Sequence, residues 1–149
     1  MALNDDISIG ILLQIAGRMM TEHLETAGSD AGLSGPQLSF LGMVARFPGN
    51  AQMTYGQILS INKMSAGRYA AQLEELGLIE RQRGTRDARE IRLLPTPEGL
   101  ALFGKLRQRL SEMTVSMTAR AGTPGYGELE AHLRRFLANE GWSLPQNPS

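Results

Sequence analysis

The chain has 149 residues, with 15 Lys and Arg balanced by 15 Asp and Glu, a length that suits one compact domain or one domain with a dimerisation appendage. It holds no cysteine, which excludes disulfide scaffolds, thiol redox sensing, cysteine zinc sites and a cysteine nucleophile. Zero net charge excludes a uniformly basic coat, so any polyanion site has to be local; Asp5 and Asp6 near the N-terminus and the lack of a long apolar run predict a cytoplasmic protein without secretory leader or membrane contact.

Asn4, Asp5 and Asp6 offer caps for a first helix, whose Ile7, Ile11, Leu12, Ile15, Met19 and Leu24 recur at helical spacing to about Thr26. Residues 27–32 read as a loop of Gly, Ser and Asp. Ser34 and Gln37 then stand at capping-box spacing around Gly35 and Pro36, opening a second helix with Leu38, Leu41, Val44 and Ala45 inward and Pro48 with Gly49 as its stop. Thr54 and Gln57 repeat that spacing and predict a third, short helix through Ile58, Leu59 and Ile61. Asn62 caps a fourth, with Ala66, Tyr69, Ala70, Leu73 and Leu76 inward and Gly77 as a left-handed terminator. Two short helices at a tight corner make a helix-turn-helix.

After Gly77 the period changes. Residues 78–83 and 90–94 read as strands, and the polar loop at 84–89 joins them into a hairpin. Thr96, Pro97 and Glu98 restart helix as cap, first-turn proline and first-turn acid. This fifth helix runs to about Arg120, and Phe103, Leu106, Leu110, Met113 and Met117 form a heptad seam along it. A linker at 122–127 precedes a last helix with Leu129, Leu133, Phe136 and Leu137 on its apolar face, and the Pro-rich tail reads as loose beyond Trp142.

Dividing the charge by position exposes what the total conceals. Residues 1–62 carry Arg18 and Arg46 against five acids, whereas residues 63–92 carry seven cations, six of them Arg, against five acids. With Ala66, Ala70 and Leu73 inward, Ser65, Arg68 and Gln72 share the exposed face of the fourth helix, with Lys63, Met64, Gly67 and Ala71 beside them. Hydroxyl, guanidinium and amide are the groups that read base edges in a major groove. On the hairpin tip Asp87 is placed to pair with the Arg89 side chain and hold it extended, beside Arg86, in the manner that suits a narrow minor groove; an Asx turn is the competing account of Asp87.

A hairpin directly after a recognition helix is a wing, so the expected fold class is mainly α with a small β-hairpin: a winged helix-turn-helix with N- and C-terminal dimerisation helices. Here the sequence resembles the MarR family of bacterial transcription regulators. Leu33, Ser34 and Gln37 resemble the family's second-helix opening; Ser65, Arg68, Leu73, Glu74, Gly77, Leu78, Ile79, Glu80 and Arg81 resemble its recognition helix and exit into the wing. Asp87 and Arg89 match its Asp-x-Arg, and Thr96 with Gly99 its Leu-Thr-x-x-Gly, with Pro95 in place of Leu. Gly67 and Ala71 depart from commonly polar positions.

The expected organisation is a winged-helix body at 33–96, dimerisation helices at 4–26 and 97–140, and a tail at 141–149. The expected DNA-binding residues are Lys63, Ser65, Gly67, Arg68, Gln72, Arg86, Asp87 and Arg89. A homodimer predicts a pseudo-palindromic double-stranded DNA operator as partner. Repression and control by a small aromatic effector are what the resemblance implies. A cleft where the first two helices meet the body is the expected effector site, with Arg18, Met19, His23, Phe40 and Met43 as candidates; ordinary packing is the competing account of the same residues. No catalytic constellation or cofactor motif stands out, and Glu128 with His132, four apart, supply too few ligands for a metal. The alternative function is a winged-helix protein-interaction module without specific DNA binding.

Overall fold

The computed structural model describes residues 7–121 and 127–145. Its elements are α1 (Ile9–Gly28), α2 (Gly35–Arg46), α3 (Gln52–Ile58), α4 (Lys63–Glu75), β1 (Ile79–Arg83), β2 (Ile91–Pro95), α5 (Pro97–Ala121) and α6 (Gly127–Asn139). The mainly helical winged helix-turn-helix is therefore present. No helix of the described residues is long and apolar enough to cross a membrane.

Local signals set several boundaries as expected. Ser34 Oγ accepts from the Gln37 N–H while Gln37 Oε1 accepts from the Ser34 N–H, a complete capping box on α2. Asn62 Oδ1 accepts from the Ser65 N–H at 2.8 Å and starts α4. At its other end Gly77 takes φ +71°, so that its N–H reaches Glu74 O and the Leu78 N–H reaches Leu73 O, the paired bonds of a Schellman stop.

Other boundaries follow tertiary contacts and correct the sequence reading. Residues 27–32 are no open loop: α1 continues to Gly28, a 3-10 turn covers Ser29–Ala31, and Gly32 at φ +67° turns the chain. Ala27 and Gly28 are buried there, so packing outweighs the polar composition of the segment. At its start α1 is flanked by Ser8, which makes no side-chain cap bond, while Asn4, Asp5 and Asp6 lie outside the described residues. Thr54 does not cap α3, which begins at Gln52 after Ala51. Ala51 forms an antiparallel bridge to Arg92, and this third strand segment fixes where the helix can start. Leu76 is 53% exposed, since the Schellman turn carries it off the inward stripe.

One core holds the body together: Leu38, Phe40, Leu41 and Val44 of α2, Tyr55 of α3, Ala66, Ala70 and Leu73 of α4, Ile79 and Leu93 of the wing base, and Leu106 of α5. Burial raises the Tyr55 phenol above its ordinary pKa, and its hydroxyl donates to Phe47 O while accepting from the Asn50 N–H at 3.1 Å. That buried phenol closes the α2 to α3 turn. The strands pair antiparallel from Ile79 with Pro95 to Arg83 with Ile91. On α5, Leu106 is buried and Phe103, Leu110 and Met113 are half-buried, whereas the Met117 side chain lies outside the described residues. Helix α5 packs on α1 and α2 of the same chain.

The wing and α5 meet at a tight point. Thr96 N–H donates to Leu78 O, Thr96 Oγ1 donates to Gly77 O at 2.6 Å and accepts from the Gly99 N–H at 3.0 Å. A Cβ on Gly99 would overlap the Leu78 carbonyl. Gly99→Ala should therefore lower stability by about 1 to 3 kcal/mol or more, read by chemical denaturation, because backbone must yield on both sides. A parent-like midpoint would refute this account of the junction.

Candidate nucleic-acid interface

Helix α4 presents its small residues to the core, and the opposite face stays open. Lys63, Met64, Arg68 and Gln72 are exposed, and Ser65 is half-buried. The Arg68 guanidinium lies 5.4 Å from the centroid of the Tyr69 ring, which braces it without neutralising it. Gln72 Oε1 accepts from Gln37 Nε2 at 2.8 Å, so α2 contacts this face. Gly67 is half-buried and faces α3, where a Cβ would stand 3.4 Å from Gln52 Nε2. Its place is thus the seam between α3 and α4 rather than the outermost surface.

On the wing the ion pairs sort the arginines. Arg81 is held by Glu74, with Nε and Nη2 each 2.6 Å from Oε2, and Arg92 Nε lies 2.7 Å from Glu90. The bond from Arg81 holds the Glu74 carboxyl below its ordinary pKa. Lys63, Arg68, Arg83, Arg86 and Arg89 make no ion pair among the described residues. Five cations on one helix and its adjoining hairpin are thus left for an external anion.

Of the two accounts of Asp87, the local turn is the one present and the side-chain pair is not. Asp87 Oδ1 accepts from the Arg89 backbone N–H at 2.9 Å, an Asx turn, and does not pair with the Arg89 guanidinium. Two residues of separation bring the carboxylate to the backbone before the long side chain can fold back. Asp87 therefore shapes the tip, and the Arg89 side chain is exposed there.

A cavity of about 220 Å³ opens between α1, α2 and α5, walled by Leu24, Met43, Leu59, Phe103 and Leu110 with Ser39, Arg46 and Arg107 among its lining. The Arg46 guanidinium rests 4.9 Å from the Phe103 ring centroid. Of the five effector candidates only Met43 is on this lining. Arg18 and Met19 are exposed on α1, His23 is half-buried there, and Phe40 is in the core against the Tyr55 and Tyr69 rings. Sequence reasoning missed Arg46 and Arg107; a cation one turn behind Gly42, where the helix leaves room for the Phe103 ring, was the available signal for the first. At the other end of the chain His132 Nδ1 lies 2.7 Å from Glu128 O, and no cluster of metal-ligating side chains occurs among the described residues.

Comparison with known proteins agrees with this geometry. Residues 31–90 match the MarR family. The HTH-type transcriptional repressor Rv2887 of Mycobacterium tuberculosis is 24% identical over 136 residues, which span 91% of this chain and 98% of that one. A solved MarR structure is 25% identical, covers 95% of both chains and superposes with a TM-score of 0.75. The matched stretch runs from α2 through β1 to the wing tip, and over it the chain resembles the MarR family. Among MarR folds, the S. aureus MepR–DNA complex matches 90% of this chain and 99% of that one at 17% identity and a TM-score of 0.73. The Rv2887 structure with salicylic acid matches 92% and 98% at 22% identity and a TM-score of 0.66.

The environment of α4 sets the expected behaviour of two variants. Gly67→Ala should stabilise the protein by about 0.5 to 1 kcal/mol in thermal melts, because the helix gains a better former and the Cβ meets only ordinary contact. Glu74 has a depressed carboxyl pKa in the folded state, so its contribution is present above the unfolded carboxylate pKa and is lost as pH falls through the folded one. Glu74→Gln should flatten that part of the acid limb by less than about 1 kcal/mol, since the pair is partly exposed; an acid limb identical to the parent's would show that the pair adds nothing.

Proposed function

We propose that the chain is a homodimeric, ligand-responsive repressor that binds a pseudo-palindromic operator in double-stranded DNA. The observation that carries this reading is the distribution of ion pairs: Arg81 and Arg92 are neutralised, while Lys63, Arg68, Arg83, Arg86 and Arg89 are not. Such a set suits α4 in a major groove and the wing tip in the adjoining minor groove. Support for a dimer comes from the apolar residues that the described chain leaves open. Ile9 is 71% exposed on α1, and Leu129, Phe136 and Leu137 of α6 are 49%, 54% and 45% exposed, an extent of open apolar surface that marks interfaces. DNA in the MepR complex and salicylic acid in the Rv2887 structure are consistent with both ligand classes.

The effector reading rests on the cavity between α2 and α5. Its walls are apolar, and Arg46 and Arg107 stand ready for a carboxylate, which suits a small aromatic acid better than a neutral ring. Met43 is the sequence candidate that takes part, with Arg46 and Arg107 assuming the anchoring role in place of Arg18 or His23.

Selection from a random duplex pool tests the function directly. The expected result is a palindrome with half-site centres about 10 to 10.5 bp apart, and loss of all enrichment would overturn the proposal. Arg89→Ala and Arg68→Ala should each weaken operator binding by about 1 to 3 kcal/mol, Arg68→Ala also relaxing base preference, in titrations at fixed salt. Sedimentation should show a dimer at micromolar concentration, and a folded monomer there would remove the two-fold operator from the argument.

A further inference from the structure

The hydrogen bond between Gln37 and Gln72 joins two residues that sequence reasoning treats separately, one as a helix cap and one as a base reader. A free glutamine amide offers a donor and an acceptor side by side, the pattern that matches the N6 and N7 edge of adenine. Gln72 is not free in this sense.

Its orientation is settled by a relay that begins at a backbone group. The Ser34 N–H can only donate, and it meets Gln37 Oε1 at 2.8 Å. This contact fixes which way round the Gln37 amide lies, so Gln37 Nε2 is the group turned toward α4. An amide nitrogen donates, and the atom it meets at 2.8 Å is Gln72 Oε1. The Gln72 oxygen is thereby directed back to α2 and its Nε2 is left without a protein partner among the described residues. Gln37 is itself firmly held, since its own N–H donates to Ser34 Oγ at 3.3 Å and its side chain is half-buried at the first turn of α2.

We infer that Gln37 is a positioning residue that turns the Gln72 oxygen toward α2 and presents its amide nitrogen, a donor, to the major groove, matched best to the paired acceptors of guanine O6 and N7 or to thymine O4, denied the bidentate match to adenine N6 and N7, and opposed by the cytosine amine. The inference rests on the DNA-binding reading and adds to it the chemistry read at one base pair. Gln72 shares the exposed face of α4 with Arg68, four residues earlier, so its partner base lies beside the one read by that arginine.

The relay can be reversed without removing the cap. Gln37→Glu keeps the capping box, because a carboxylate at this position also accepts from the Ser34 N–H. Its second oxygen cannot donate, so the Gln72 amide must turn its nitrogen toward α2 and its oxygen toward the groove. The added negative charge weakens binding to all sequences alike, whereas the turned amide changes which base is preferred.

The experiment is selection from a random duplex pool with the parent, Gln72→Ala, Gln37→Glu and the double variant Gln37→Glu, Gln72→Ala, followed by titration of single-base operator variants at fixed salt. Comparison of the parent with Gln72→Ala identifies the base pair read by Gln72, where guanine or thymine is expected to be favoured by about tenfold. Gln37→Glu should shift that pair toward adenine or cytosine and leave the other positions unchanged, and the shift should vanish in the double variant. Adenine or cytosine at the position in the parent overturns the inference even if Gln37→Glu fails to fold. So does a folded Gln37→Glu with the parent's preference, or a parent whose enriched operator is unaffected by Gln72→Ala. If the parent enriches no sequence, the DNA-binding reading itself fails and the inference falls with it, an outcome separate from the others because it appears before any variant is compared.

Discussion

The close contact between Gly99 and the Leu78 carbonyl is the constraint on which the arrangement of the whole chain depends. Leu78 is the residue that completes the Schellman stop of α4, and Thr96 ties its carbonyl and that of Gly77 to the first turn of α5. The end of the recognition helix, the base of the wing and the start of the longest helix are therefore one hydrogen-bonded unit. A side chain at 99 would separate them. Because interiors so closely packed shift between discrete arrangements rather than stretch, α5 cannot change direction without carrying the end of α4 with it. Any device that alters the angle of α5 then alters the presentation of Arg68 and Gln72.

Electrostatics supplies the second constraint. A chain of zero net charge offers a local anion site only if its own acids are kept from the cations that matter, and geometry does the sorting here. Glu74 faces the base of the wing and takes Arg81; Glu90, just before β2, takes Arg92 two residues on. Asp87, the acid closest to the tip, is occupied by the Arg89 backbone N–H. These three acids are thus engaged by the body or the backbone, and Arg83, Arg86 and Arg89 remain without an ion pair among the described residues. The tip at 84–89 keeps an excess of cations, Arg86 and Arg89 against Asp87.

Signals contained within one turn of chain were legible. The capping box at Ser34 and Gln37, the Asn62 cap and the Gly77 stop each involve partners within about five residues, and the period change after Gly77 exposed the hairpin. What escaped sequence reasoning depends on distant partners. Thr54 carries the same local pattern as Ser34, yet α3 begins earlier because Ala51 is bridged to Arg92, forty-one positions away. Phe40 stands on the α2 face beside the expected cleft, but the rings of Tyr55 and Tyr69 draw it into the core. Gln37 and Gln72 each carry a local role in the sequence, and the 35 positions between them hid the bond that unites those roles. The exposure of Lys63, Arg68 and Gln72 was readable because α4 periodicity reports it, while the lining of a cavity between three helices is set by how those helices cross.

The two constraints meet at the cavity beside α2. Its opposite wall is α5, anchored to the body from above by the Arg109 and Asp30 pair at 2.6 Å and in its lower turns by the junction at Gly99. Arg46 crosses the space to lie on the Phe103 ring, so a cation of α2 already rests on α5. On the proposed reading, a bound aromatic carboxylate competes for that guanidinium with the face of Phe103, and a ligand shifts a protein only where its contacts differ between two arrangements. Drawing Arg46 from the ring changes the spacing of α2 and α5 while the junction holds α5 to α4. Since α2 also grips α4 through Gln37, the two attachments of the recognition helix are then set against each other. The weaker of them is the exposed bond between Gln37 and Gln72, and a ligand that loosened it would change which base is read as well as how tightly.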